Sequence, residues 1–121
     1  MAFIRFEEFD QLCLDYVTPK LGSLGFYPSG VVHSRAGYCV ASYQSEAHYF
    51  LDFVIEVADY SGCGLMVREG ARPGLGVPVY RYDKSVKAAV PQVHLGDVTA
   101  AMAKEIFDHQ LEIFCRVRTM L

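Results

Sequence analysis

Apolar residues recur with helical spacing at both ends of the chain. Over residues 98–120 they form one long stripe, which predicts a C-terminal helix with Asp97 as its N-cap. Residues 5–24 carry a second stripe, and Pro19 within it predicts either a kink or a new short helix beginning at Thr18. The residues of this second stripe follow one another at intervals of three or four, which keeps them on one helix face: Phe6, Phe9, Cys13, Val17, Leu21 and Leu24.

Between the two helices the pattern changes to that of β-strands. Turn-forming residues separate four predicted strands, at 27–33, 38–44, 48–58 and 63–69. Their short connections predict an antiparallel meander, because a parallel pair needs a crossover of a dozen or more residues. Residues 70–79 are rich in Gly and Pro and are expected to form an irregular connector, and 83–90 a short helix that Pro91 ends.

The third predicted strand shows which sides of the sheet are covered. One face of the strand is apolar, with residues at every second position: Tyr49, Leu51, Phe53, Ile55 and Val57. The other face carries three ionisable residues, His48, Asp52 and Glu56. We therefore predict an α+β fold, a four-stranded antiparallel meander with the N-terminal helix and the long C-terminal helix packed on one face. The 121 residues are expected to form a single domain, 1–121.

Composition and charge exclude several classes of protein. Apolar residues make up 52% of the chain, which excludes intrinsic disorder, and a net charge of −3 argues against binding of duplex nucleic acid. Carboxylates from Glu7 onward interrupt any secretory leader, and the apolar runs are far shorter than the ~18–20 residues of a membrane span. The four cysteines have no zinc-ligand spacing and are expected to be reduced. We expect a cytoplasmic protein that contacts no membrane.

Candidate chemistry is sparse. No nucleophile, dinucleotide or phosphate-loop motif is present, so we expect no catalytic residue and no cofactor. The C-terminal helix carries a group of possible metal ligands: Glu105, Asp108, His109 and Glu112. A di-iron bundle needs Glu and His three residues apart, whereas Glu105 and His109 are four apart and the N-terminal helix has no histidine. We therefore expect no metal site.

The ionisable strand face is the candidate binding site. His48, Asp52 and Glu56, with tyrosines such as Tyr43 beside them, would form an acidic and aromatic docking surface for a protein partner. An ordinary solvated sheet face is the simpler interpretation. Two other hypotheses stay open. One is a small enzyme or ligand-binding domain, with a pocket between sheet and helices that uses these ionisable residues or His109. The other is a homo-oligomer that pairs through the sheet face or an edge strand.

The order of elements also resembles that of a known family. The first helix ends in a Pro-x-Leu-x-x-Leu-Gly-Phe pattern, formed here by Pro19, Leu21, Leu24, Gly25 and Phe26, before the strand meander and the long last helix. In this the chain resembles small bacterial immunity proteins encoded beside polymorphic or contact-dependent growth inhibition toxins. The resemblance implies a non-catalytic cytosolic protein that binds and neutralises a cognate toxin domain, often a basic nuclease. We expect the chain to be a monomer or a weak homodimer.

Overall fold

The computed structural model describes residues 4–34, 38–56, 62–70, 76–82 and 99–121. They form an α+β fold in which an N-terminal helical segment is followed along the chain by an antiparallel sheet and then by a C-terminal helix. The α-helices are α1 (Phe6–Leu12), α2 (Thr18–Gly22) and α3 (Ala100–Val117). The strands are β1 (Tyr27–Ser34), β2 (Tyr38–Gln44), β3 (Phe50–Glu56), β4 (Gly62–Arg68) and β5 (Val77–Pro78). The predicted helix at 83–90 lies outside the described residues. No described helix is long and apolar enough to cross a membrane.

The described sheet has five strands in the order β1-β2-β3-β4-β5, rather than the four predicted. The additional strand is β5, which lies in the predicted connector and pairs with Met66 and Val67 of β4. Gly76 permits this close approach, since a Cβ atom at that position would lie 2.5 Å from the carbonyl oxygen of Val67. A two-residue strand has too few alternating positions to be recognised in the sequence.

The helical segment passes through Pro19 by means of a π-helical turn, Cys13–Val17, between α1 and α2. Within this turn the N–H of Thr18 donates to the carbonyl of Cys13, five residues earlier. Proline has no N–H to give and crowds the preceding turn, and a π turn absorbs such an irregularity without ending the helix. The segment ends where Gly25 adopts a φ of +89° and the N–H of Phe26 bonds to the carbonyl of Leu21 at 3.0 Å.

The main core lies on the face of the sheet that carries the odd-numbered residues of β3. Phe53 is at its centre: the ring of Phe9 from α1 stacks on it at 5.8 Å, and the ring of Phe107 from α3 meets it edge-on at 5.3 Å. Leu51 and Ile55, on the same face of β3, are buried with them. Helices α1 and α3 therefore both contact this face through aromatic side chains, the residues that bury the most apolar area.

Helix α3 differs in detail from its predicted form. Its N-cap is Thr99, whose Oγ1 accepts from the N–H of Met102 at 3.2 Å, and not Asp97, which lies outside the described residues. Its buried face includes Gln110, whereas His109, a candidate metal ligand and pocket residue, is exposed. Gln110 is buried with its polar group satisfied, because its side-chain Oε1 accepts from the backbone N–H of Leu65 in β4 at 2.8 Å.

The second face of the sheet is also buried over its centre, which corrects the expectation of a solvated face. Its apolar part is a separate small cluster of one residue from each central strand: Val40, Val54 and Met66. Three polar residues beside them are buried as well: Ser42, Asp52 and Arg68. Alternation along a strand shows which residues share a face, but it does not show whether something lies over that face.

Candidate functional site

Asp52 does not take part in an exposed docking surface, because its side chain is completely buried. Its carboxylate accepts two hydrogen bonds from the guanidinium of Arg68, from Nε at 2.8 Å and from Nη2 at 3.4 Å. The hydroxyl of Ser42 lies 3.5 Å from the same Nη2, and the ring of Phe50 lies 4.2 Å from the guanidinium carbon. Asp52 therefore has a structural role in an ion pair under the second face.

Two of the other three predicted docking residues also lie away from Asp52. Tyr43 is buried and points to the opposite face of the sheet, into the main core. His48 is exposed in the turn before β3, where its Nε2 lies 3.5 Å from a carboxylate oxygen of Glu69. Glu56 pairs through its backbone at the end of β3, and its side chain lies outside the described part. The described side chains of Tyr43, His48 and Asp52 therefore do not share one exposed face.

A cleft of about 270 Å³ lies elsewhere, between the N-terminal helical segment and strands β1 and β2. We call it the helix–edge cleft. The helical wall consists of four residues from α1, the π turn and the start of α2: Asp10, Cys13, Leu14 and Thr18. The wall and floor on the sheet side come from β1 and β2: Pro28, Gly30, Val31, Ala41, Ser42 and Tyr43. The π turn contributes two of the helical residues, and π turns are frequent at functional sites.

The floor of the helix–edge cleft is polar but uncharged. The hydroxyls of Thr18 and Tyr43 are hydrogen-bonded at 2.9 Å. Burial raises the pKa of Tyr43, and it raises the pKa of the Cys13 thiol, which also lines the cleft, to about 12. Both groups are neutral at physiological pH, so Cys13 is a poor nucleophile and the floor can offer only hydrogen bonds.

The rim of the helix–edge cleft is apolar and accessible. Leu14 on the helical wall is 66% exposed, and Val31 on the strand wall is 49% exposed. Single exposed apolar side chains are common on protein surfaces, but here two of them line the same cleft, one on its helical wall and one on its strand wall. Leu14 lies beside the predicted apolar stripe of the helix rather than on it, and this was the one signal in the sequence that could have revealed the site.

The helical wall is acidic. Between residues 6 and 19 the chain has no basic residue and four carboxylates: Glu7, Asp10 and Asp15 are exposed, and Glu8 is half-buried. The basic residues that flank this stretch, Arg5 and Lys20, each form an ion pair, with Glu8 and Asp108 respectively. Asp10 itself lines the helix–edge cleft, and its charge adds to the effect of burial in raising the pKa of Cys13, another lining residue.

A second polar cluster joins the N-terminal segment to α3. The phenol of Tyr16 donates to Asp108, and Lys20 Nζ donates to the Tyr16 hydroxyl at 2.8 Å and to Asp108 Oδ1 at 2.9 Å. Lys104 Nζ lies 5.0 Å from the centre of the Tyr16 ring. Asp108 is thereby engaged in a contact between helices. Among the described residues no three His, Cys, Asp or Glu side chains lie close enough to hold a metal ion.

Comparison of the chain with protein-family models, curated proteins and solved structures found no match.

Proposed function

We propose that this chain is a non-catalytic binding protein and, in its most specific form, an immunity protein that binds and neutralises a cognate toxin domain in the cytoplasm. The observation that carries the proposal is the helix–edge cleft, in which an accessible apolar rim at Leu14 and Val31 adjoins an acidic helix. Protein interfaces combine an apolar centre with a charged rim, and this pairing favours a basic partner.

The resemblance in the Pro19 to Phe26 segment is evidence about the fold rather than about toxin binding. Leu21 and Phe26 are buried in the core and Gly25 ends the helical segment, so these residues serve packing and chain reversal. Specificity for a toxin would be carried by the exposed carboxylates and the cleft rim instead. Acidic groups that surround an apolar contact accelerate the encounter with a basic partner and lose this effect at high salt.

The test begins with capture of the partner from the protein's own cells and continues with the partner's activity. We expect the captured partner to be a basic domain that arrests growth when expressed alone and is harmless when expressed with this chain. Its association rate should fall at least tenfold between low and high ionic strength. A partner whose activity persists in the complex, or an association rate that does not depend on salt, would contradict the proposal.

A charge-matched pair of variants assigns the effect to the acidic helix. The first variant replaces three carboxylates of the helical segment: Glu7→Gln, Asp10→Asn and Asp15→Asn. The control removes the same charge at exposed positions elsewhere: Glu46→Gln, Glu105→Gln and Glu112→Gln. We expect the first variant to slow association several-fold and to flatten its salt dependence, and the control to leave both nearly unchanged.

A small ligand in the helix–edge cleft is a second candidate function. The neutral hydrogen-bonding floor of Thr18 and Tyr43 beneath an apolar rim is typical of sites for small molecules, and about 270 Å³ would hold only a compact one. Native mass spectrometry of the protein purified from its own cells tests this. A bound molecule lost on Tyr43→Phe would favour the ligand, whereas an unmodified mass throughout would argue against it.

A further inference from the structure

Strand β1 forms one edge of the described sheet, and its first five residues, 27–31, are exposed to solvent. No described strand pairs with β1 on the side away from β2. In an antiparallel pair, alternate residues direct their N–H and C=O groups toward the partner strand and the remaining residues direct theirs away from it. The outward groups of β1 are therefore a template on which another strand can pair.

Only part of this edge is suited to pairing. Pro28 has no N–H, and the register with β2 shifts between Pro28 and Gly30, two features that hinder strand addition. From Gly30 to Ser34 the register runs without interruption, from Ser42 back to Tyr38. Five residues are enough for an extended segment to form several backbone hydrogen bonds. The opposite edge of the described sheet, β5, has only two residues.

The helix–edge cleft lies beside the stretch 30–34 of β1, since Gly30 and Val31 line it. Val31 belongs to the open part of β1 and lines the cleft together with Leu14. Side chains of a strand added to β1 would alternate between the two faces of the sheet, so every second one would point toward the helix. An apolar side chain at such a position could cover Leu14 and Val31, and a basic one beside it would approach Asp10.

We propose that residues 30–34 accept an extended segment of the partner protein as an added strand, with an apolar side chain seated between Leu14 and Val31 and a basic side chain beside Asp10. This inference rests on the proposed binding function and specifies how the partner is held. Backbone pairing would supply affinity, and the helix–edge cleft and its acidic wall would select the sequence of the segment. The carboxylates of the helical segment favour a basic segment over an acidic one.

A displayed library of random nine-residue peptides tests this without knowledge of the partner. We expect the selected peptides to carry an apolar residue and a Lys or Arg two positions apart, so that both side chains face the helix, and to shift the backbone amide resonances of β1 and of Leu14. N-methylation along a selected peptide should abolish binding at every second position, as expected for one edge of an added strand. Peptides that bind elsewhere, N-methylation effects without alternation, or a selection that yields no binder would each overturn the proposal.

Two exposed edge valines provide a matched pair of variants. Val31→Lys changes a side chain of β1, the strand that would accept the partner segment. Val77→Lys makes the same change at the opposite edge of the described sheet, where Val77 is 39% exposed. We expect Val31→Lys and Leu14→Lys each to weaken peptide binding at least tenfold and Val77→Lys to weaken it less than twofold. Equal effects of Val31→Lys and Val77→Lys would overturn the proposal.

The same variants separate the failure of this inference from failure of the proposed function. If the captured partner binds Val31→Lys normally but is weakened by the carboxylate variant of the helical segment, the partner docks elsewhere and only the added strand is wrong. If light scattering shows a dimer that Val31→Lys dissociates, a second copy of the chain occupies the edge, and the proposal that a partner protein adds a strand there is overturned. If the parent protein is a monomer and Val31→Lys loses partner binding, the proposal is supported.

Discussion

The ion pair between Asp52 and Arg68 removes two charges from water on the second face of the sheet. The cost of burying each ion is several kcal/mol, and the bidentate contact, the nearby Ser42 hydroxyl and the ring of Phe50 offset it. Such a pair adds little net stability to the fold, but it makes other registers of the two strands less stable. A slip of β4 by one residue would place Arg68 on the opposite face and leave Asp52 buried without this cation, so the pair helps to specify the register of β3 and β4.

Removal of one member of this pair leaves the other as a buried charge without its partner, so the losses in stability from the two removals should not add. We expect Arg68→Met or Asp52→Leu alone to lower the free energy of unfolding by about 3 kcal/mol, and the double variant to lose clearly less than the sum. Urea denaturation measures all three. Arg116→Met is the control, because Arg116 is exposed and lies 3.9 Å from Glu112, and we expect it to cost less than about 0.5 kcal/mol. Additive losses in the double variant would show that the pair is not coupled.

At the scale of elements, α3 is fixed on the sheet by a contact that requires a glycine. Gly64 in β4 has a φ of +142°, and a Cβ atom there would lie 2.1 Å from Oε1 of Gln110. The carboxamide of Gln110 occupies that space and accepts the N–H of Leu65. Because Gly64 has no side chain, the side chain of Gln110 fits against β4 at this point, and this contact helps to fix the orientation of α3 on β4.

Gly64→Ala should break this contact. We expect a loss of about 2–3 kcal/mol in the free energy of unfolding, because the backbone conformation disfavours alanine and the new methyl group overlaps with Gln110. In Gln110→Ala the overlap disappears, so Gly64→Ala should cost distinctly less in that background. Gly22→Ala is the control: nothing lies within 4 Å of its Cβ position, and in a helix the change should be neutral or stabilising. Equal costs of Gly64→Ala in both backgrounds would exclude the steric explanation.

At the scale of the whole molecule, Asp108 connects the N-terminal segment to α3 through Tyr16 and Lys20. Partial burial alone would raise the pKa of Asp108, but the hydrogen bonds from Tyr16 and Lys20 together hold that pKa below its ordinary value. The fold therefore favours the ionised carboxylate. This contribution to stability is present above the ordinary pKa of about 3.8 and is lost as the pH falls through the lower pKa of the folded state.

Asp108→Asn should reveal this dependence on pH. At pH 6 we expect a loss of less than about 1 kcal/mol in the free energy of unfolding, since both charged groups of the Lys20 pair are more than 40% exposed. The difference from the parent protein should shrink as the pH falls below about 4 and vanish at lower pH. Thermal unfolding at several pH values measures it, with Glu105→Gln on the same helix as the control. A difference that persists at pH 2 would rule out the carboxylate charge as its cause.

The sequence by itself determined the elements and the faces of the sheet. Helical spacing and strict alternation are local properties of the backbone, so the N-terminal helical segment, strands β1 to β4 and most of α3 were predicted within a few residues. The same alternation separated the apolar face of β3 from the face with Asp52. Only the tertiary structure decided which polar residues are buried, because burial depends on what packs over a face. It placed Asp52 with Arg68 and Gln110 against Gly64. It also formed the helix–edge cleft, because the cleft depends on how the N-terminal helical segment packs beside β1 and β2, and packing between separate elements is not a local property of the sequence.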